Sequence, residues 1–429
     1  MKKFISASLV LLISVLSTPA LLAGETPLSL DSCISLALAN NRKAIVAHNN
    51  IEAAVNMKRE AFTKYFPEIS AAGLAFWANH DILQYNLLDI IELGIIKNGK
   101  VAGVQAMQPV FTGGQIVNGN KLADVGAEVA KLRKEQTENE LRLTTETMYW
   151  KLVTLEASRR TLEDAVMTLD SLENEVNAAV EAGIALRNDL LKVQIKRNSY
   201  LADMVDMDNG ILLMKMLLSQ YVGLGVDGNI SICAEIPMAV PPFPQELYTS
   251  SQDALPFTPD YRLLTKNVEA KKLEKRMTIG SNLPSVAFGA GWYYHDLLDQ
   301  NHNLGALQIA VDIPLTAWWG GAYAIKRKNA ELANARIELQ DLSDDLMIEM
   351  QDKWNNLTAA HRKMEIEAQG ISQSSENLRL NKMYYEAGMA TVTDFLEAQT
   401  EFRQANDRYI NAYGTFRTAR AAYLIATGR

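Results

Sequence analysis

Two copies of one motif decide the fold of this chain: Glu181-Ala182-Gly183-Ile184-Ala185 and Glu386-Ala387-Gly388-Met389-Ala390. Each copy continues with an aspartate, a leucine and a glutamine at the same spacing, namely Asp189, Leu191 and Gln194 in the first and Asp394, Leu396 and Gln399 in the second. A glycine commonly ends a helix, and an acidic residue suits the first turn of the next one. Each copy therefore predicts a turn between two long antiparallel helices.

The repeat extends over most of the chain. Ile51-Glu52-Ala53 followed by Pro67 corresponds to Val268-Glu269-Ala270 followed by Pro284, with the same internal spacing. Such self-similarity indicates two structural repeats. We assign them to residues 24–224 and 260–429, each containing a helix, a strand pair, a long helix and a returning helix. A proline-rich connector, residues 225–259, separates them.

Two proline-free segments predict very long helices. In the first, residues 115–181, apolar residues recur at three- and four-residue steps, which is typical of coiled-coil packing. At 1.5 Å per residue this helix is on the order of 100 Å long. The second repeat has the same pattern. Helix one, residues 30–64, and the returning helix, residues 188–222, are each about half as long, so stacked end to end they match the long helix.

Four segments are predicted to be strands: residues 66–77, 101–111, 283–294 and 304–315. In the last, Leu307, Ile309 and Val311 alternate with small or polar residues, as in a strand with one apolar face. Runs of this length, with aromatic residues near their ends, are typical of outer-membrane strands. Those aromatic residues are Trp77, Trp292, Tyr293, Trp318 and Trp319. A soluble β-sandwich is the alternative, and residues 78–100 fit either a strand extension or an external loop.

The N-terminus has the layout of a secretory signal: two lysines, an apolar run from Phe4 to Leu16, and small residues before a predicted cleavage site after Ala23. We therefore assign residues 1–23 to a signal peptide. The chain is acidic, with a formal net charge of -8. This charge argues against nucleic acid as a partner.

With the duplicated motif, the strand pairs and the C-terminal Tyr423-Leu424-Ile425-Ala426-Thr427-Gly428 in view, the sequence resembles the TolC-type outer-membrane efflux family. The resemblance implies a mainly helical α+β membrane protein. Four strands per chain would contribute to a trimeric, twelve-stranded outer-membrane β-barrel embedded in lipid, and the helices to a long antiparallel coiled-coil α-barrel in the periplasm. It also implies an exit duct, without enzymatic activity, for a tripartite efflux or type I secretion system. Its partners would be two further chains, a periplasmic adaptor, and an inner-membrane transporter of RND, ABC or MFS type.

The resemblance also implies roles for residues near the two glycine turns. Asp394 and Glu397, three apart and so on one helix face, match acidic positions that line the tunnel gate. Asp189 and Tyr385 match positions that form a closure contact. The adaptor-docking tips would be Gly183, Ile184 and Ala185, with Gly388, Met389 and Ala390. Ala390 departs from the arginine that some members carry, which predicts looser closure.

The sequence gives little indication of metal binding, cofactor binding or catalysis. His80-Asp81 and His295-Asp296 occupy corresponding loops near His302, but loop histidines are usually solvated, so we predict no metal and no cofactor. His361 lies on an apolar helix stripe and is interpreted as a packed or tunnel-facing residue. We find no phosphate-binding loop and no catalytic constellation. A periplasmic adaptor and a coiled-coil structural protein are the alternative functions.

The two cysteines, Cys33 and Cys233, allow two interpretations. If the half-length helices stack, both cysteines lie near the middle of the helical tunnel and at the same height, which permits a disulfide in an oxidising compartment. Alternatively, Cys33 is a small buried helix residue and Cys233 belongs to an extended segment, and both thiols are free.

Overall fold

The computed structural model describes residues 27–80, 84–87, 91–94, 98–297, 300–315 and 317–429. The predicted signal peptide lies outside these residues. The first repeat contains α1 (Leu30–Asn40), α2 (Arg42–Thr63), α3 (Gln115–Glu181) and α4 (Arg187–Tyr221). After a short helix in the connector, α5 (Ser251–Ala254), the second repeat contains α6 (Pro259–Gly280), α7 (Ala317–Glu386) and α8 (Val392–Ala426).

The strands are β1 (Glu68–Trp77), β2 (Gln84–Leu87), β3 (Ile91–Gly94), β4 (Asn98–Phe111), β5 (Ser285–Leu297) and β6 (Gln300–Asp312). Four of them form one antiparallel sheet in the order β1-β4-β5-β6, so each repeat contributes one strand pair. The predicted strands are each found, with ends shifted by a few residues. The segment left open, residues 78–100, contains the separate β2–β3 ladder and the start of β4.

The two long helices are joined by shorter ones: α6 and α8 each pack against both α3 and α7, and α1, α2 and α4 pack against α3. We call this helical layer the wall. Helix α3 has the bounds that its apolar spacing predicts, and α7 is its counterpart. The end of α4 meets the start of α2, since Asn41 Nδ2 donates to the carbonyl oxygen of Tyr221 over 2.8 Å. The chain also approaches itself there so closely that a Cβ on Gly223 would collide with Asn40. The end-to-end stacking of half-length helices is thus present in the first repeat.

Helix one is not continuous, contrary to the prediction from its apolar pattern. It breaks at Asn41, whose extended backbone (ψ 135°) ends α1 and whose side chain caps α2 by accepting from the Lys43 amide over 2.8 Å. Asparagine is among the preferred N-cap residues because its side-chain oxygen can replace a missing helical acceptor. Because of this break, the Asn41 side chain both caps α2 and donates a hydrogen bond to the end of α4.

The connector lies across the wall and is held by hydrogen bonds to its carbonyl groups. Tyr409 Oη donates to the Pro237 carbonyl oxygen over 2.7 Å, and His361 Nε2 donates to that of Pro241 over 2.8 Å. Proline lacks an N–H but keeps its carbonyl acceptor. His361 is 5 % exposed and is therefore a packed residue rather than a surface ligand.

The four-stranded sheet has two different faces. One carries Trp292, Leu307 and Ile309, which are 61 %, 89 % and 65 % exposed. The other is more polar, although it also carries the exposed Leu304 opposite Tyr293, and there Tyr293 Oη donates to Gln105 Oε1 over 3.2 Å. In the part of the chain that the structure describes, no helix has the length and apolar composition required to cross a membrane.

Candidate functional site at the helical tips

The two glycine motifs fold into turns of the same backbone conformation, which we name the first tip (residues 179–186) and the second tip (residues 384–391). Gly183 and Gly388 have φ angles of +75° and +71°, in the left-handed region that favours glycine. In the first tip the amides of Ile184 and Ala185 both donate to the Ala179 carbonyl. The amides at the corresponding positions of the second tip, Met389 and Ala390, both donate to the Tyr384 carbonyl. These bonds satisfy carbonyl groups that a helix end leaves unpaired.

Each tip presents an apolar side chain to solvent. Ile184 is 81 % exposed and Met389 is 71 % exposed, while the alanines that follow them are half-buried. A single exposed apolar side chain is common on protein surfaces, so this exposure is compatible with docking but does not by itself indicate it. The predicted docking residues are thus at the surface, and their binding of an adaptor stays a prediction.

The second tip is joined to α8 by a capping box. Thr391 Oγ1 accepts from the Asp394 amide over 3.2 Å, and the Asp394 carboxylate accepts from the Thr391 amide over 2.8 Å and from its hydroxyl over 2.7 Å. These bonds favour the ionised carboxylate and hold the pKa of Asp394 below its usual value. Glu397 is exposed one turn further along α8. Asp394 therefore stabilises the start of α8, in addition to any role in the predicted gate.

The predicted closure contact is not made within this chain. Among the described residues no hydrogen bond links Tyr385 to Asp189, although the pKa of Tyr385 is raised by burial, then by the nearby Glu175 and Asp189. The Tyr385 ring instead stacks on Phe395 of α8, with centroids 6.1 Å apart. The aromatic contact fixes the ring and leaves the second tip packed on its own returning helix.

A different side chain connects the two hairpins. Lys192 Nζ donates to Asp189 Oδ1 over 3.3 Å and to Thr393 Oγ1 over 3.0 Å, so it links the first turn of α4 to the first turn of α8. This contact is not among those predicted from the sequence. Its signal is a lysine three residues after Asp189, at a helix start whose N-cap, Leu186, provides no side-chain acceptor.

Further from the tips, the paired glutamines of the motif have different partners. Gln399 is buried and accepts from Tyr200 Oη over 3.4 Å, which joins α8 to α4. Its counterpart Gln194 donates to Glu173 Oε1 of α3 over 2.9 Å and stays within its own hairpin. Arg403 also lies over the Tyr200 ring, 5.0 Å from the centroid. Tyr200 is therefore a second point at which the hairpins are joined.

Both cysteines are free thiols, so the disulfide is not formed in this structure. Cys33 is fully buried in α1, and Cys233 is exposed with its Sγ 3.6 Å from the Leu28 carbonyl oxygen. Residue 28 also pairs with Ile232 in a short parallel bridge, which brings the two segments side by side. Burial raises the pKa of the Cys33 thiol to about 11. These positions fit the interpretation of a buried helix residue and an extended-segment residue, and pairing in the exported protein stays a prediction.

These features define a class of protein: a four-stranded antiparallel sheet with an apolar outer face, continued by two long helical hairpins that end in glycine turns. Solved outer-membrane channels share this fold. The outer membrane protein VceC of Vibrio cholerae superposes with a TM-score of 0.79 at 17 % identity, covering 93 % of this chain and 96 % of that one. The CmeC outer membrane channel of Campylobacter jejuni gives 0.78 at 13 % identity, covering 93 % and 85 %.

Sequence comparisons agree with the fold. Residues 267–429 match the family model described as outer membrane efflux protein. The outer membrane efflux protein BepC of Brucella suis is 21 % identical over 333 residues, which cover 76 % of this chain and 72 % of that protein. The similarity of this chain to the outer membrane efflux protein family thus extends over residues 267–429.

Proposed function

We propose that this protein is an outer-membrane exit duct of a tripartite efflux or type I secretion system. The observation that carries the proposal is the four-stranded sheet, apolar and exposed on one face and more polar on the other, placed at the end of a helical wall. An apolar face of this kind suits lipid, and the polar face suits an aqueous passage.

The sheet also supports assembly with other copies. Its order leaves β1 and β6 as outer strands, and an unpaired strand edge is unfavourable in lipid because its backbone groups lack partners. Three chains would join β6 of one to β1 of the next and close a twelve-stranded barrel. In the same assembly the helical walls would surround a continuous tunnel whose periplasmic end lies at the six tips.

The direct test of this function combines fractionation with transport. We expect the protein in the outer-membrane fraction, and we expect a deletion strain to accumulate toxic compounds that the complemented strain exports. Recovery with the soluble or inner-membrane material would favour the alternative, a periplasmic adaptor. Unchanged accumulation of every tested compound, together with an outer-membrane location, would contradict the transport role alone.

Within this function, Asp394 and Glu397 are proposed to form the gate. In a trimer they would place six carboxylates around one axis, which attracts cations and selects by charge. Because Asp394 also caps α8, Asp394→Asn with Glu397→Gln is the suitable variant, since it removes the charges but keeps side-chain acceptors. We expect lower cation selectivity in planar-bilayer conductance and weaker block by multivalent cations.

The matched control is Asp344→Asn with Asp345→Asn, two exposed carboxylates on α7 away from the tips. It removes the same charge and should leave selectivity close to that of the wild type. Equal selectivity in the gate variant and the wild type would exclude Asp394 and Glu397 from the gate.

A further inference from the structure

A groove of about 370 Å³ lies between α3 and α6, near the end of the wall that joins the sheet. Three exposed cations line it: Lys121 from the second turn of α3, and Lys272 and Arg276 from the last three turns of α6. Helix α6 ends at Gly280, so at 1.5 Å per residue Arg276 lies about 6 Å and Lys272 about 12 Å before the end of the helix. The three cations therefore occupy a narrow band of the wall close to the sheet.

The carboxylates of the groove have other partners. Asp124 forms an ion pair with Lys58 of α2, with Nζ and Oδ1 2.9 Å apart. Glu128 and Glu269 both pair with Lys266 of α6. Within the ranges that the structure describes, the three cations of the groove form no ion pair. The cluster thus contains five cations and three carboxylates, an excess of two positive charges.

The positive charge extends along the same end of the wall. Residues 55–64, at the end of α2, and residues 271–280, at the end of α6, contain seven lysines and arginines but only two glutamates. This is an excess of five positive charges in a chain whose net charge is -8. Both helices lead into strands of the sheet, α2 into β1 and α6 into β5. A local excess of this kind, opposite in sign to the charge of the whole chain, attracts anions.

The groove lies on the outer side of the wall. The other side carries a concave cavity of about 910 Å³ that is lined by α2, α3, α7 and α8 and includes Gly126, Ala130 and Arg133 of α3. Successive residues of a helix are turned by about 100°, which places Lys121 and Asp124 on the side of α3 opposite to these three residues. In the proposed assembly the concave side faces the tunnel, so the groove faces the surroundings of the duct.

Apolar side chains lie between the groove and the sheet. Phe62 follows Lys58 by one turn of α2, and its ring contacts those of Tyr65 and Phe66 at centroid distances of 5.6 and 5.5 Å. The three aromatic side chains are exposed, and so is Ile279 at the end of α6. The order along the wall is therefore the apolar sheet face, then aromatic rings, then cations. Amphipathic aromatic and basic side chains are enriched in this way where a protein crosses from lipid into water.

We propose that this groove binds the phosphate of an anionic phospholipid in the leaflet that surrounds the base of the sheet. The guanidinium of Arg276 can bind a phosphate through two hydrogen bonds, and the two lysines contribute mobile point charges. The apolar side chains toward the sheet would contact the beginning of the acyl chains. The inference rests on the proposed function, because the groove meets lipid headgroups only if the sheet is embedded in the membrane.

The test uses the full chain, purified in detergent, and native mass spectrometry of its lipid adducts. We expect phosphatidylglycerol to bind more tightly than phosphatidylcholine with the same acyl chains, because the phosphatidylcholine headgroup has no net charge. The combined variant Lys121→Gln, Lys272→Gln, Arg276→Gln should weaken phosphatidylglycerol binding by about tenfold or more, since each cation near an anionic lipid surface contributes about fivefold in affinity. Its binding of phosphatidylcholine should stay close to that of the parent.

The matched control combines Arg362→Gln, Lys363→Gln and Lys382→Gln, which remove the same charge from exposed positions of α7 far from the sheet. It should bind phosphatidylglycerol like the parent. Circular dichroism and elution volume verify that each variant is folded. Equal phosphatidylglycerol affinity in the parent and in the folded groove variant would overturn the proposal.

Inorganic phosphate distinguishes a lipid from a soluble anion as the ligand. Binding of inorganic phosphate that depends on the three cations, together with equal affinities for phosphatidylglycerol and phosphatidylcholine, would overturn the assignment to lipid. Failure of this site and failure of the duct function are separable, because fractionation locates the protein independently. A protein of the outer membrane that shows no preference for phosphatidylglycerol would contradict the lipid site alone.

Discussion

The two tips have the same backbone but different connections to the returning helices. Both turn at a glycine with positive φ, and both satisfy the same carbonyl with two amides. At the position that precedes the returning helix, however, the first tip has Leu186 and the second has Thr391. Only Thr391 has a hydroxyl that can accept the amide three residues later.

Because of this difference, the corresponding aspartates Asp189 and Asp394 bind different partners. Asp394 is bound by Thr391 and stays within its own helix end. Asp189, without such a partner at Leu186, accepts from Lys192, which also reaches Thr393 of the other hairpin. The glycine therefore preserves the turn in both copies of the motif, and the cap residue decides whether the carboxylate binds the cap or a lysine that reaches the other hairpin.

The largest expected effect concerns the feature that the tips share. Gly183→Ala and Gly388→Ala should each cost roughly 1–2 kcal/mol, the penalty for a side chain in the left-handed region. A Cβ meets no atom within 4 Å at either position, so the cost should be purely conformational and nearly equal at the two tips. Amide hydrogen exchange at the tips measures it. A clearly larger loss at one tip would show that the turns are not equivalent.

The second effect separates the tips. Thr391→Ala removes the capping box and should destabilise the start of α8 by about 1 kcal/mol, whereas Leu186→Ala removes no cap and should change the start of α4 much less. Hydrogen exchange of the first turn of each helix provides the comparison. Leu186→Thr should protect α4 if the cap residue is the cause. Equal responses to the two alanine substitutions would contradict this explanation.

A smaller effect is expected for the link between hairpins. Lys192→Met removes partly exposed contacts worth about 0.2–1 kcal/mol, and we expect a modest rise in the resting conductance of the channel in planar bilayers. Lys382→Met, which removes an exposed lysine of α7, is the control. Tyr385→Phe tests the contact inferred from the family resemblance. A rise for Tyr385→Phe with none for Lys192→Met would place the closure contact at Tyr385.

The smallest effect should appear on acidification. The pKa of Asp394 is lowered in the folded chain by its bonds to Thr391, so its stabilising contribution is present above the usual aspartate pKa and is lost as the pH falls through the lowered value. Hydrogen exchange should therefore show the start of α8 opening at acidic pH below about 3.9. Thr391→Ala should remove this pH dependence. The same dependence in that variant would assign it to another group.

The fold could be predicted because it depends on periodic or repeated features. The α3 bounds follow from apolar spacing and from glycines at both ends, and the β6 strand from the alternation through Leu307 and Ile309. The break at Asn41 was missed because asparagine also occurs inside helices, and only the contact with Tyr221 across 180 residues of sequence makes the break favourable.

The contacts at the tips were less predictable than the fold, because most of them join residues that are far apart in the sequence. Asp394 and Thr391 form a local pair three residues apart, and such a capping box can be recognised in a sequence. Lys192 and Thr393 are separated by 201 residues, and Tyr200 and Gln399 by 199, so their contacts depend on how the hairpins pack. Sequence spacing identifies residues that share a helix face, but it does not give the height at which two distant helices meet.

The connector gives the wall a mechanical fulcrum. It is fastened to α8 at Tyr409, and the tip end of α8 at Val392 lies about 25 Å away along the helix axis at 1.5 Å per residue. A rotation of about 10° about this point displaces the tip by about 4 Å, a lever arm that follows directly from the helical rise. The wall on the sheet side of the fulcrum need not move. An opening at the tips, as the proposed duct requires, would therefore move the far end of the wall and leave the sheet in place.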